Sequence, residues 1–98
     1  MTGKKRAVLR AMGHSLDPVL QIGKGNINEA VIAQTEELLE NIELIKGTVL
    51  QSSELTAREA AEELVKKTQA ELIQVIGSKF VLFRKSQKLK KLDKNMKY

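Results

Sequence analysis

The nine residues Val19-Leu20-Gln21-Ile22-Gly23-Lys24-Gly25-Asn26-Ile27 constrain this chain most. An apolar β-type run, a Gly-Lys-Gly-Asn corner and the start of an amphipathic helix follow one another without a gap. That succession predicts a strand turning directly into a helix, which in a short chain means an α/β fold. A corner of this kind exposes backbone N–H groups and adds a lysine, so it also suits the holding of phosphate. Glycine-rich strand-to-helix turns are common, so the rest of the chain decides what this one is for.

Upstream, Val8, Leu9, Ala11 and Met12 are set among Lys4, Lys5, Arg6 and Arg10. The spacing predicts a short amphipathic helix over 3–13, stopped near Gly13, with Arg6 and Arg10 on one face. Pro18 disfavours helical geometry at Asp17 and leads into the first strand, Val19 to Ile22. Asn26 is placed to cap the next helix, and Glu29 three residues on completes a capping-box pattern. Ile27, Val31, Leu38 and Ile42 then recur at helical spacing beside Glu36, Glu37 and Glu40, predicting a helix of about fifteen residues.

Residues 43–50 read as a second strand, in which Gly47 suggests a bulge or a close backbone approach. Thr56-Ala57-Arg58-Glu59 is a clean capping box, opening a helix with Ala60, Ala61, Leu64 and Val65 on its apolar side. Two further apolar runs, Leu72–Ile76 and Phe80–Phe83, flank Gly77-Ser78-Lys79, where the glycine permits a tight type II′ hairpin. Beyond residue 84 lysines take over, so 1–84 reads as the folded domain and 85–98 as a basic, flexible tail. The order helix, strand, helix, strand, helix, strand, strand asks for one mixed four-stranded sheet with helices packed on it. Each strand–helix–strand unit favours parallel neighbours, and the last pair is antiparallel.

Charge is distributed unevenly along the 98 residues, whose net charge is +5. Residues 1–16 carry four cations and no acid, and residues 84–98 carry seven cations and one acid. The stretch between them holds eleven acids against six cations. Two basic ends around an acidic middle point to a polyanionic partner. Cysteine is absent, which excludes disulfides, thiolate ligands and a thiol nucleophile. No apolar run approaches the ~18–20 residues of a membrane span, and the first residues lack the apolar core of a signal peptide. A cytoplasmic location with no membrane partner is the expectation.

Catalysis is not expected. His14 is the one histidine, no Gly-x-Ser-x-Gly elbow surrounds any serine, and a metal site would need a cluster of ligands. His14 itself reads as structural or merely exposed. The acids at 36, 37, 40, 59, 62 and 63 read as solvated helix faces, and no nucleotide-binding fingerprint is present. Neither a cofactor nor a small-molecule substrate is implied. Binding chemistry is better supplied. Lys24 and the amides of Gly23, Gly25 and Asn26 stand ready for backbone phosphates, and Arg6 and Arg10 offer bidentate contacts. Phe80 and Phe83, three apart in a strand, face opposite sides, which argues against a platform of stacked bases. A grip on the RNA backbone fits this residue supply, and no DNA-binding motif appears.

The residues in hand resemble the CRM domain (chloroplast RNA splicing and ribosome maturation) in its stand-alone bacterial, YhbY-like form. The resemblance covers about residues 3–84. It rests on Lys5-Arg6 with Arg10 and His14, on Leu16-x-Pro18-Val19-x-Gln21-Ile22-Gly23-Lys24-Gly25, and on Glu43-Leu44-Ile45-Lys46. The closing blocks are Leu72-Ile73-Gln74-Val75-Ile76-Gly77 and Val81-Leu82-Phe83-Arg84. It implies a compact α/β sandwich similar to the C-terminal domain of translation initiation factor three. It further implies RNA binding through a Gly-x-x-Gly loop flanked by basic residues, on the precursor of the large ribosomal subunit. Aligned on Gly23, the family's second glycine falls where this chain has Asn26, the residue that best tolerates left-handed geometry after glycine. At position 47 the family usually has an aliphatic residue, and Gly47 is expected to weaken its strand.

The expectation is therefore a monomeric, non-catalytic RNA-binding protein. Lys24 with Gly23, Gly25 and Asn26 would hold phosphates, and Arg6, Arg10, Lys4, Lys5 and Arg84 would widen the contact. The alternative is an adaptor that docks a basic protein on its acidic second and third helices.

Overall fold

The computed structural model describes residues 1–86. Seven elements follow in chain order: α1 Gly3–His14, β1 Leu20–Ile22, α2 Glu29–Ile42, β2 Leu44–Val49, α3 Ala57–Thr68, β3 Glu71–Ile76 and β4 Lys79–Phe83. The α/β class and the α-β-α-β-α-β-β order are those expected from the sequence.

The four strands form one mixed sheet in the order β1-β2-β4-β3. β1 and β2 run parallel, with Ile22 opposite Val49. The second strand–helix–strand unit departs from the expectation of parallel neighbours, because β4 lies between β2 and β3 and pairs antiparallel with both. Burial explains the choice. β4 has three consecutive buried residues, Phe80, Val81 and Leu82, whereas β3 carries the exposed Glu71 and Ile76 at its ends. The strand with apolar groups on both faces takes the inner position, and the more polar one takes the edge. An irregularity between Leu72 and Gln74 further breaks that edge.

Alternation along the strands sends side chains to two cores. Ile45, Phe80 and Leu82 join Leu20, Ile22, Leu39 of α2 and Ala60 and Leu64 of α3 in the larger one. Leu44, Ile73 and Val81 point the other way, against Leu9 of α1. The sheet is thus covered by α2 and α3 on one face and by α1 alone on the other. Phe80 and Phe83 fall on opposite faces, as their spacing implies.

Local signals explain most element ends. Thr56 accepts a hydrogen bond from the Glu59 amide at 3.1 Å, and Glu59 accepts from the Thr56 amide at 2.9 Å, closing the capping box. Gly77 takes a positive φ of 57° in the two-residue hairpin turn, as a type II′ turn requires of its first central residue. The cap of α2 is different from the one the Asn26–Glu29 spacing suggests. Asn28 is the cap, accepting from the Val31 amide at 2.9 Å. Asn26 sits two residues earlier in left-handed geometry, φ 53°.

The folded chain also continues past residue 84. Ser86 is buried, its amide donates to the Glu43 carboxylate at 2.6 Å, and its hydroxyl donates to the Glu40 backbone carbonyl. The basic tail expected from 85 onward lies, from residue 87, outside the described residues.

Candidate nucleic-acid interface

The corner after β1 is a turn in which the Asn26 amide donates to the Gly23 carbonyl at 2.9 Å, leaving Lys24 and Gly25 exposed at its tip. That amide is therefore already used. The Asn26 side chain faces inward: its Oδ1 accepts from the Ser53 hydroxyl at 2.7 Å and the Glu54 amide at 3.2 Å. These bonds tie the corner to the loop that follows β2. Because α2 starts at Glu29, the corner precedes the helix N-terminus by several residues instead of forming its first turn.

The other cations singled out in the sequence divide into free and engaged groups. Lys4 and Arg10 are exposed on α1 and pair with no carboxylate among the described residues. Lys5 lies over the Phe83 ring, 5.3 Å from its centroid. Arg6 is pinned to the edge strand, donating to the Leu72 carbonyl and to Glu71 at 3.4 Å. Arg84 is more deeply engaged. Its guanidinium, in a side chain only 20% exposed, meets Glu36 at 2.7 Å, Glu40 at 3.8 Å and the Thr68 carbonyl at 2.8 Å. Glu36 and Glu40, read from the sequence as a solvated face, are thus the counter-ions of a structural arginine. Arg84 lies with α2 and α3, away from α1.

The cations also spread along the sheet. Lys5 and Arg6 sit at the end marked by Phe83, Leu44 and Glu71, whereas Lys24 follows Ile22 at the opposite end. Five residue steps of β2 separate those ends, about 17 Å at ~3.3 Å per residue. Between them, on the half of the sheet that α1 leaves open, lies a cleft of about 420 Å³ lined by His14, Lys46, Gln74 and Lys79, with the hairpin turn as one wall. Sequence reasoning gave neither lysine nor Gln74 a part in binding. Each lies in a strand read for its apolar residues, and only the pairing of β2 with β4 brings Lys46 and Lys79 to one surface.

The faces of the sheet therefore differ in charge. α1 bears Lys4, Lys5, Arg6 and Arg10 with no acid, and α2 on the other side bears Glu29, Glu36, Glu37 and Glu40 with no base. Among the described residues no helix is long and apolar enough to cross a membrane. Nor do the described residues contain three or more His, Cys, Asp or Glu side chains grouped to hold a metal.

Comparison with known proteins agrees with this picture. The family model for the CRS1 / YhbY (CRM) domain matches residues 1–84. A Bacillus subtilis protein named "Probable RNA-binding protein YqeI" is 42% identical over 93 residues, spanning 95% of this chain and 97% of that protein. A Haemophilus influenzae protein named "RNA-binding protein" is 32% identical over 90 residues, spanning 92% and 91%. The solution structure of SAV1595 from Staphylococcus aureus superposes with a TM-score of 0.74 at 49% identity, over 89% of this chain and 91% of that one. With a family match over most of its length and relatives aligned nearly end to end, this chain belongs to the CRS1 / YhbY (CRM) domain family.

Proposed function

We propose that this chain is a non-catalytic RNA-binding protein that acts in the cytoplasm on ribosomal RNA in the precursor of the large ribosomal subunit. The observation that carries the reading is the gathering of cations without carboxylate partners on one side of the sheet. Lys4, Arg10, Lys46 and Lys79 lie on the α1 side, and Lys24 stands at the end of the sheet nearest Lys79. A polyanion laid along that side neutralises several lysines and arginines at once and meets few acids. The names of the relatives support RNA as that polyanion. The ribosomal target rests on the resemblance to single-domain bacterial members of the family.

In this reading Lys24 and the exposed Gly25 hold phosphates at one end of the track, Arg10 and Lys4 extend it along α1, and Lys46 and Lys79 fill the middle. Arg6 and Arg84 support the fold that presents it. The test is sucrose-gradient sedimentation of cell extract with detection of this protein, beside a Lys24→Glu/Arg10→Glu variant. Co-migration with large-subunit precursors, lost in the variant, is the expected result. Wild-type protein that stays at the top of the gradient at low salt would refute the ribosomal target.

A further inference from the structure

The cleft between the C-terminal end of α1 and the open half of the sheet sets polar side chains around an apolar floor. Its polar side chains, His14, Lys46, Gln74, Ser78 and Lys79, form no side-chain hydrogen bond or ion pair among the described residues. Elsewhere, Arg6, Asn26, Thr35, Thr68 and Arg84 all have partners for theirs. No carboxylate lines the cleft. Its floor is formed where Gly13 packs on Val81, so closely that a Cβ at position 13 would stand 3.0 Å from a Val81 methyl. That approach lets α1 lie low on the sheet and leaves a step beside it. Ile76, 52% exposed although it is a large apolar residue, supplies an apolar surface on the rim.

These features match the parts of a nucleotide. Lysines and an imidazole meet phosphate, an amide that both donates and accepts can read a base edge, and an isoleucine covers a base face. The volume lies at the lower end of the range of about 300–1,000 Å³ for pockets that enclose a small ligand. We infer that this cleft holds one unstacked nucleotide of a single-stranded RNA segment, with Lys46 and Lys79 toward its phosphate and Gln74 at its base edge. The inference rests on the RNA-binding reading and adds what that reading lacks, a place where the identity of a base is read. Backbone contacts at Lys24 and Arg10 position the strand but carry no sequence information.

The test combines two measurements on the whole chain. In the first, backbone amide NMR signals are followed as each of the four 5′-mononucleotides is added, with inorganic phosphate as control. Shifts at His14, Gln74 and 76–79 with a mononucleotide, larger than with phosphate, are expected. In the second, affinities for single-stranded RNAs differing at one base, and for duplex RNA, are compared among wild type, Gln74→Ala and Lys79→Gln. Gln74→Ala is expected to lose a base preference of roughly tenfold, through weaker binding of the preferred RNA, with little change for the RNAs that carry another base there. Lys79→Gln, at an exposed position, is expected to weaken single-strand binding and leave the fold intact. Equal shifts with phosphate alone would reduce the cleft to an anion site and overturn the assignment. Wild type that binds RNA while the cleft signals stay still and Gln74→Ala keeps every preference would overturn the inference and leave the RNA-binding reading standing. Wild type that binds no RNA would overturn both.

Discussion

Gly47 of β2 lies directly opposite Phe80 of β4, and the Phe80 ring fills the space in which any Cβ at position 47 would stand. Phe80 is 1% exposed and belongs to the core under α2 and α3. Glycine carries an intrinsic cost inside a strand, which here is offset by the seating of a whole aromatic ring. No bulge is needed, because the pairing of β2 with β4 runs on without a break from Leu44 to Thr48.

The Gly47→Ala substitution is therefore expected to destabilise the fold by about 1–3 kcal/mol through overpacking, despite alanine's better backbone entropy. In urea the midpoint falls with little change in slope. Phe80→Leu in the Gly47→Ala background is expected to cost less than the two single changes added together. Strict additivity would show that ring and glycine are not coupled.

Arg84, just after β4, ties α2 to the C-terminal end of α3, and its removal is a test of fold against interface. Arg84→Ala leaves Glu36 and Glu40, one helical turn apart, without their shared cation and the Thr68 carbonyl without a donor. Glu40 keeps its hydrogen bond from the Ser86 hydroxyl, so a loss of about 1–3 kcal/mol is expected, from the ion pair with Glu36 and the Thr68 carbonyl left without its donor. RNA affinity, measured well below the melting temperature, is expected to stay near wild type. Lost affinity with unchanged stability would return Arg84 to the interface.

Asn26 separates two contributions in one side chain. Asn26→Gly keeps the φ of 53° without strain but removes the acceptor used by Ser53 and Glu54, at about 0.5–1.5 kcal/mol for each bond. Asn26→Ala loses the same bonds and adds about 1 kcal/mol for left-handed geometry. Chemical denaturation should rank wild type, Asn26→Gly and Asn26→Ala in that order.

How far the sequence reaches is visible in these same residues. Thr56 with Glu59, and Gly77 in the hairpin, were legible because each signal is local and the competing conformations are few. The cap of α2 was not legible: the Asn26–Glu29 spacing points to Asn26, whereas Asn28 two residues on is the cap. Long-range bonds to Ser53 and Glu54 hold Asn26, and they leave no trace in the local pattern. Strand order was not legible either, since the antiparallel insertion of β4 depends on which strand buries both faces. The cleft followed from that order. Lys46 and Lys79 are 33 positions apart in sequence and share a surface only through the pairing of β2 with β4.

Glu59 gives a pH dependence whose sign can be stated. The hydrogen bond from the Thr56 amide, and then that with the Thr56 side chain, hold its carboxyl below the usual carboxylate range. A group whose pKa is lower in the folded state stabilises the fold above its unfolded value, and that contribution fades as pH falls through the folded one. Glu59→Gln, which keeps the shape of the cap but does not titrate, is expected to show a shallower loss of stability on acidification. Identical acid limbs in thermal melts would contradict this.

The central claim, that the α1 side of the sheet grips an RNA backbone, is tested most directly by the salt dependence of binding to a single-stranded ribosomal RNA fragment. Neutralising about six phosphates predicts a slope of log K against log salt near −4, at ~0.7 per phosphate for single strands. Arg10→Glu and Lys79→Glu should each make the slope shallower by about 0.7 or more, whereas Glu37→Lys on α2 should leave affinity intact or raise it. A nearly flat salt dependence in the wild type, or equal slopes in wild type and the two α1-side variants, would contradict the account.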